Sequence, residues 1–165
     1  MIEKYTFRPV TPADLTLLAE WQSQPHVRRW WDTTEPYGEE QLKDPRVSRW
    51  IVSKAGYPFA YMQDYTVHGW EGHHFFALPR NSRGIDQFIG APNMIGKGHG
   101  PAFIMQRIQT LFEEGTPVVA TDPHPENARA IAAYKKAGFR EFGEPQNTQW
   151  GKILPMKVSP EDLIF

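Results

Sequence analysis

Two features of this sequence are equipped for chemistry, an acidic residue inside an apolar run and a cluster of glycines just beyond it. Gly84-Ile85-Asp86-Gln87-Phe88-Ile89 is apolar enough to be a central strand, yet it carries Asp86 between Ile85 and Phe88. A carboxylate in such a place is solvated, paired or functional, because an unpaired buried charge is too costly. The strand feeds into Asn93-Met94-Ile95-Gly96-Lys97-Gly98-His99-Gly100. Glycines at alternate positions let the main chain turn tightly and bring its N–H groups to a ligand with no Cβ atoms in the way, a geometry that favours an anion.

Beyond the glycines, Ile104, Ile108, Leu111 and Phe112 recur at helical spacing, and Pro101 suits a first helical turn. The loop therefore empties into a helix N-terminus, where unpaired N–H groups and the positive dipole end hold a phosphate or pyrophosphate. A glycine-rich surface turn is the other reading. Two familiar phosphate loops fail on spacing. Gly90 and Gly96 are one residue too far apart for a Walker A loop, and Gly98 stands where its Ser or Thr would hold Mg²⁺; the dinucleotide pattern needs a glycine where Pro101 sits.

Three further clusters draw attention. Trp30 and Trp31 are adjacent and so point to different sides, which keeps at least one out of the deep core. Beside Asp32 and Glu35 they suit a cationic or sugar-like ligand, and equally a hydrophobic plug. In Pro58–Val67, Phe59, Tyr61, Gln63 and Tyr65 share one face of a strand, presenting Gln63 and Tyr65 to a ligand. His68, His73 and His74 lack a familiar ligand spacing, so no metal is expected.

The elements that must position these residues follow in order. Tyr5–Val10 alternates as a strand; Thr11, Pro12 and Asp14 then start a helix that buries Leu15, Leu18 and Trp21 or Gln22 and ends near Pro25. A short helix is expected around Glu39, then a hairpin of 47–53 and 58–67 turning at Lys54-Ala55-Gly56-Tyr57, and a short strand at Phe75-Phe76-Ala77-Leu78. After the glycine-loop helix come a buried strand, Pro117–Asp122, and a helix with Asn127, Ile131 and Tyr134 on one face and Gly138 as its C-terminal cap. Strands 139–143 and 150–158 close the chain around the loop Glu144–Thr148.

Composition narrows the class. A chain of 165 residues is long enough for a sizeable core and short for two domains, so one domain, 1–165, is expected. With 18 basic and 19 acidic residues there is no surplus for nucleic acid or an anionic membrane. The absence of cysteine excludes disulfides, thiolate metal sites and a cysteine nucleophile. With no signal-peptide core and no membrane-length stretch, a cytoplasmic protein is expected.

The chain resembles the GNAT superfamily of acyl-CoA-dependent N-acyltransferases over nearly its whole length. Gly96-Lys97-Gly98-His99-Gly100 looks like that family's pyrophosphate loop, with Asn93 where Gln or Arg is usual. Asn127-Ala128-Arg129-Ala130 through Tyr134-Lys135-Lys136-Ala137-Gly138-Phe139 is similar to its second signature. The resemblance implies an α+β fold with a central mixed, mostly antiparallel sheet of six to seven strands flanked by about four helices. It implies acetyl-CoA as cosubstrate, contacted by Phe88, Ile89, Ile95, Gly96, Lys97, Gly98, His99, Gly100, Pro101, Asn127, Tyr134 and Lys136, with Tyr134 returning a proton to the thiolate. Within the family, Arg83–Ile89, Gly96–Gly98 and Thr121-Asp122-Pro123 look most like the aminoglycoside 6′-N-acetyltransferases. That implies Asp86 as the base or orienting group for the amine, and Trp31, Gln63, Tyr65, Asp86 and Asp122 as substrate contacts. The implied partner is a small aminoglycoside or polyamine bound by a monomer or homodimer. Two alternatives are a GNAT enzyme for another amine or a siderophore-type hydroxylamine, and a non-catalytic acyl-CoA-binding module.

Overall fold

The computed structural model describes residues 4–31 and 37–163. Asp32 and Glu35, the acidic neighbours of the tryptophan pair, lie outside the described residues. The elements are β1 (Thr6–Pro9), α1 (Leu15–Ser23), α2 (Pro25–Arg28), α3 (Glu39–Leu42), β2 (Val47–Lys54), β3 (Tyr57–Thr66), β4 (Arg83–Ile89), α4 (His99–Glu113), β5 (Val119–Thr121), α5 (Ala128–Lys136), β6 (Arg140–Glu141), β7 (Gln146–Thr148), β8 (Gly151–Ile153) and β9 (Met156–Val158). Among the described residues, seven strands form a mixed sheet in the order β1-β2-β3-β4-β5-β9-β6, and β7 and β8 pair separately. The chain groups into two compact units, Met1–Asp64 with Gln87–Gly100, and Tyr65–Asp86 with Pro101–Phe165.

In the first unit β1 pairs antiparallel with β2, from Thr6 opposite Ser53 to Pro9 opposite Trp50. The start of α1 follows the expected capping chemistry with one change. Pro12–Asp14 is a 3-10 turn, and Asp14 reaches back to accept the Thr11 N–H at 2.8 Å while both its oxygens take the Arg8 guanidinium at 2.9 and 2.8 Å. Pro25 then opens the single turn α2 instead of merely ending α1, since proline suits a first helical position. Ala55 and Gly56 make the β2–β3 turn with φ of 51° and 81°, the left-handed pair of a two-residue hairpin. Leu18, Trp21, Val27, Ile51, Tyr61 and Phe88 form the core, with Trp31 and Tyr37 packed against it.

In the second unit β4 and β5 run parallel, Arg83 opposite Val119 and Gly84 opposite Ala120. β9 continues antiparallel beside β5, and β6 beside β9. Burying Phe103, Ile104, Ile108 and Leu111 gives α4 its apolar stripe, so Phe103 takes the core place expected of the half-buried Phe112. At the end of α5, Gly138 at φ 108° lets the Phe139 N–H reach the Tyr134 carbonyl at 3.0 Å.

Three expected elements differ. Phe75–Leu78 is a succession of turns, because the Phe76 N–H goes to the His73 carbonyl at 3.0 Å and the Leu78 N–H to that of Phe75 at 3.0 Å, leaving Phe76 exposed. The closing strand 150–158 is broken at Leu154-Pro155, where the Leu154 N–H turns to the Pro123 carbonyl at 2.8 Å and proline has no N–H to give. The loop 144–148 holds β7, paired with β8 from Gln146 opposite Ile153 to Thr148 opposite Gly151.

Candidate functional site

Asp86 lies within β4 and Asp122 follows the last residue of β5. The parallel register, carried two residues past Gly84 and Ala120, sets the two carboxylates side by side. Between them and the strand interior, the Thr121 hydroxyl donates to the Ile85 carbonyl at 3.0 Å and holds the strand ends together. Asp86 and Asp122 are hydrogen-bonded through their side chains. Two carboxyl groups bond in this way only by sharing a proton. Burial pushes Asp122 up to about 7, an effect the bond from Asp86 reduces.

On its other side Asp122 meets a residue that the sequence marked only as a rejected metal ligand. His74 Nε2 lies 2.8 Å from Asp122 Oδ2, and its side chain is almost wholly enclosed. Burial lowers the proton affinity of His74 and Asp86 opposes that shift. Its Nδ1 is buried with no hydrogen-bond partner. Burial and then the negative charges of Asp122 and Asp86 hold the Tyr65 phenol well above its usual range, so it stays a neutral hydroxyl.

Tyr65 also explains a glycine. A Cβ on Gly84 would be built inside van der Waals contact of the Tyr65 ring. Gly84→Ala is therefore expected to destabilise the protein by about 1–3 kcal/mol, the usual range for overpacking. Urea denaturation checks the effect.

His73 stacks on His74 with ring centroids 4.1 Å apart, and Trp150 from the β7–β8 turn lies 5.0 Å from His73 and 5.7 Å from His74. The Phe75 N–H donates to His73 Nδ1 at 3.0 Å, which makes that nitrogen an acceptor and the ring neutral. Burial first, then the neighbouring His74 and His68, lower His73 to about 4. An unfolded histidine titrates near ~6.5, so the unfolded chain binds the extra proton between that value and 4 and stability is lost as pH falls through this window. The raised Asp122 acts with the opposite sign as its folded form takes up protons below about 7. Because that contribution is common to both proteins, His73→Phe is expected to lose less stability than the wild type between pH 6.5 and 4.5, read from urea midpoints. Among the described residues no group of three or more His, Cys, Asp or Glu is placed to hold a metal ion.

Tyr134 sits in α5, buried and edge-on to Phe139 at 5.4 Å. Asn127 is the N-cap of α5, its Oδ1 accepting the Ala130 N–H at 3.2 Å, so its side chain serves the helix. Lys136 is exposed in the last turn of α5, and Pro101 lies in the first turn of α4.

The first unit holds the glycine loop. Gly96 and Gly98 have φ of 73° and 82°, and a Cβ on either would meet nothing within 4 Å. Ile95, Lys97 and Gly98 lead to His99, which begins α4 two residues earlier than expected, with Gly100 buried behind it. The Tyr5 hydroxyl and His99 Nδ1 are 2.9 Å apart and anchor the start of the helix. The loop fits a pyrophosphate: positive φ at two glycines, open space above them, and a fifteen-residue helix with its N-terminus at the loop.

The same unit gathers an aromatic wall at the end of β4. Phe88 stacks on Tyr61 at 5.3 Å and meets Trp31 edge-on at 4.9 Å, which places Trp31 in the wall, while the half-buried Trp30 ring carries the Arg29 guanidinium 4.7 Å from its centroid. Gln63 Oε1 accepts from the Tyr61 hydroxyl at 2.7 Å and Arg49 Nη1 at 3.0 Å. His26 Nε2 lies 2.7 Å from the Ile89 carbonyl. Neither Arg49 nor His26 was legible in advance, since both act through partners remote in sequence. Asn93, the departure from the loop pattern, has its Oδ1 3.5 Å from the Tyr57 hydroxyl.

The carboxyl pair stands on parallel neighbours, Asp86 within β4 and Asp122 just past β5, and the glycine loop opens a fifteen-residue helix. Residues 11–146 match the acetyltransferase (GNAT) domain family, and the chain belongs to it. It is 32% identical over 157 residues to the aminoglycoside N(6′)-acetyltransferase type 1 of Klebsiella pneumoniae, covering 86% of this chain and 76% of that protein. Among solved structures, AAC(6′)-Ib in complex with parmomycin and acetyl-CoA superposes with a TM-score of 0.87 at 30% identity, over 97% of this chain and 96% of that one. The same enzyme with coenzyme A and kanamycin gives 0.85 at 31% identity, over 96% of both chains. The protein thus has the GNAT fold and is an acyltransferase.

Proposed function

We propose that the protein is an acetyl-CoA-dependent aminoglycoside 6′-N-acetyltransferase that transfers the acetyl group directly to the amine. The observation that carries this reading is the carboxyl pair Asp86–Asp122, which offers an ammonium negative charge and a place for its proton. Bound acetyl-CoA supplies the thioester carbonyl that the amine attacks. Asp86 orients the ammonium and accepts its proton, so that the neutral amine forms the new C–N bond. As the C–S bond breaks, Tyr134 gives a proton to the departing sulfur, and the second proton that the acylated nitrogen loses makes Tyr134 neutral again; the proton held by Asp86 passes to solvent, so one is released per turnover. Asp122 holds a second ammonium of the polycation, while Trp31, Gln63 and Tyr65 serve as substrate contacts.

For the cosubstrate we assign the pyrophosphate to the main-chain N–H groups of Gly96, Lys97, Gly98, His99 and Gly100, with Ile95 and Pro101 flanking them. Phe88 and Ile89 on β4 meet the pantetheine, and Asn127, Tyr134 and Lys136 complete the contacts. β3, β4 and α4 each contribute residues to both compact units, and we propose that residues 1–165 form one domain. No helix among the described residues is long and apolar enough to cross a membrane, and we place the protein in the cytoplasm.

The test is thiol release from acetyl-CoA with kanamycin-type aminoglycosides, simple polyamines and N-hydroxylysine as acceptors. Saturable release with a product acetylated at the 6′ amine is expected. Release with another acceptor alone would leave the chemistry and overturn the substrate, and binding of acetyl-CoA with no release to any acceptor would favour a non-catalytic module.

A further inference from the structure

The assigned roles leave His74 unused, although it lies in hydrogen-bond contact with Asp122, the carboxylate assigned to a second ammonium. We propose that His74 is a positioning residue for Asp122: its Nε2–H holds Oδ2 and supports the ionised form, so that an arriving ammonium expels the proton that Asp86 and Asp122 share. The inference rests on the acetyltransferase reading for its kinetic consequence, and on geometry alone for the coupling.

Three observations support it. The Nε2–Oδ2 distance of 2.8 Å is a full hydrogen bond between two enclosed groups. His74 Nδ1 is buried without a partner, and an orphaned buried N–H is rarer than an orphaned acceptor, so the ring is neutral with its proton on Nε2. The stacked His73 ring and Trp150 fix the imidazole plane. A neutral donor suits the task, because an imidazolium would cancel the charge that Asp122 must offer a cationic acceptor.

The titratable groups around this pair are Asp86 on β4, Tyr65 on β3, Tyr134 on α5, and His68 and His73 in the segment before His74. Tyr65 stays neutral, and His73 stays neutral above about 4. The proton that moves near neutral pH is therefore the one shared by the carboxylates. In the ligand-free protein the pair holds it below about pH 7, the value to which burial pushes Asp122. When the acceptor binds, that proton passes to solvent and both carboxylates face ammonium groups. Asp86 is then free to take the proton of the reacting amine.

The experiment compares the full-length wild type with His74→Leu, His74→Gln and His74→Asn. The glutamine amide nitrogen occupies the place of Nε2, whereas the shorter asparagine mimics Nδ1 and cannot reach Asp122. Carbon-13 carboxyl NMR of the ligand-free proteins follows Asp122, assigned through Asp122→Asn. The midpoint is expected to rise by about one pH unit, a tenfold change in proton affinity, in the Leu and Asn variants and to return in the Gln variant. The acidic limb of kcat/KM for kanamycin should move in parallel, while KM for acetyl-CoA stays unchanged. If His74→Leu fails to fold, the Asn and Gln variants decide the question alone. Equal midpoints in wild type, Leu and Asn, or a Gln variant that behaves like Asn, would overturn the proposal. Should kanamycin not be acetylated at all, the substrate reading fails and the titration still decides whether His74 governs Asp122.

Discussion

Asp86→Asn is expected to lower kcat for aminoglycoside acetylation by about 10²–10⁴-fold, the range for loss of a positioned proton acceptor, while the Kd for acetyl-CoA changes by less than about twofold. Asparagine keeps the size of aspartate and can donate an N–H to Asp122, so the link across β4 and β5 survives the change. What it cannot do is accept a proton from an ammonium. The shared proton also disappears, and with it one reason for the acidic limb of the pH profile. Above pH 9, where more of the amine is already neutral, part of the lost rate should return. Stopped-time assays across pH 6–10, with acetyl-CoA binding followed by calorimetry, make the measurement. Full activity at neutral pH would show that Asp86 merely lines the site.

How far the sequence reached depends on whether a role is written locally. The glycine loop and its helix were legible because positive φ and helical spacing are properties of neighbouring residues, and Gly96 and Gly98 do adopt φ of 73° and 82°. Asp86 was legible as an anomaly, a charge in an apolar strand. Its partnership with Asp122 needed the parallel register of β4 and β5, which no local pattern encodes. The contact of His74 went unread for the same reason: its short spacing to His68 and His73 spoke against a metal and pointed to no other role, while its partner lies 48 residues away. Phe75–Leu78 looked like a strand by composition, and the His73 ring nitrogen and carbonyl captured its N–H groups for turns. Proline decided two other cases in opposite ways. Pro25 opened α2 at a position it favours, and Pro155 cut the closing strand in two.

Gly98→Val is expected to weaken acetyl-CoA binding by more than about 100-fold, an effect separable from its cost to the fold. At φ 82° a valine is strained, and an L residue in the left-handed region costs roughly 1–2 kcal/mol, more when β-branched. No core packing is lost, since the new Cβ would meet nothing in the protein within 4 Å. The open space it enters is the space we assign to the pyrophosphate. Gly56 supplies the control, for it has φ 81° in the β2–β3 turn and is equally open, and no ligand contact is assigned there. Gly98→Val and Gly56→Val should therefore lower the unfolding midpoint by similar amounts, and only the first should lose acetyl-CoA in calorimetry. If both variants kept acetyl-CoA affinity, the loop would be a surface turn. If both lost it equally, backbone strain and not occupied space would be the cause. Loss confined to position 98 ties the anion to the main chain of the loop, where a glycine is required by the ligand as well as by the turn.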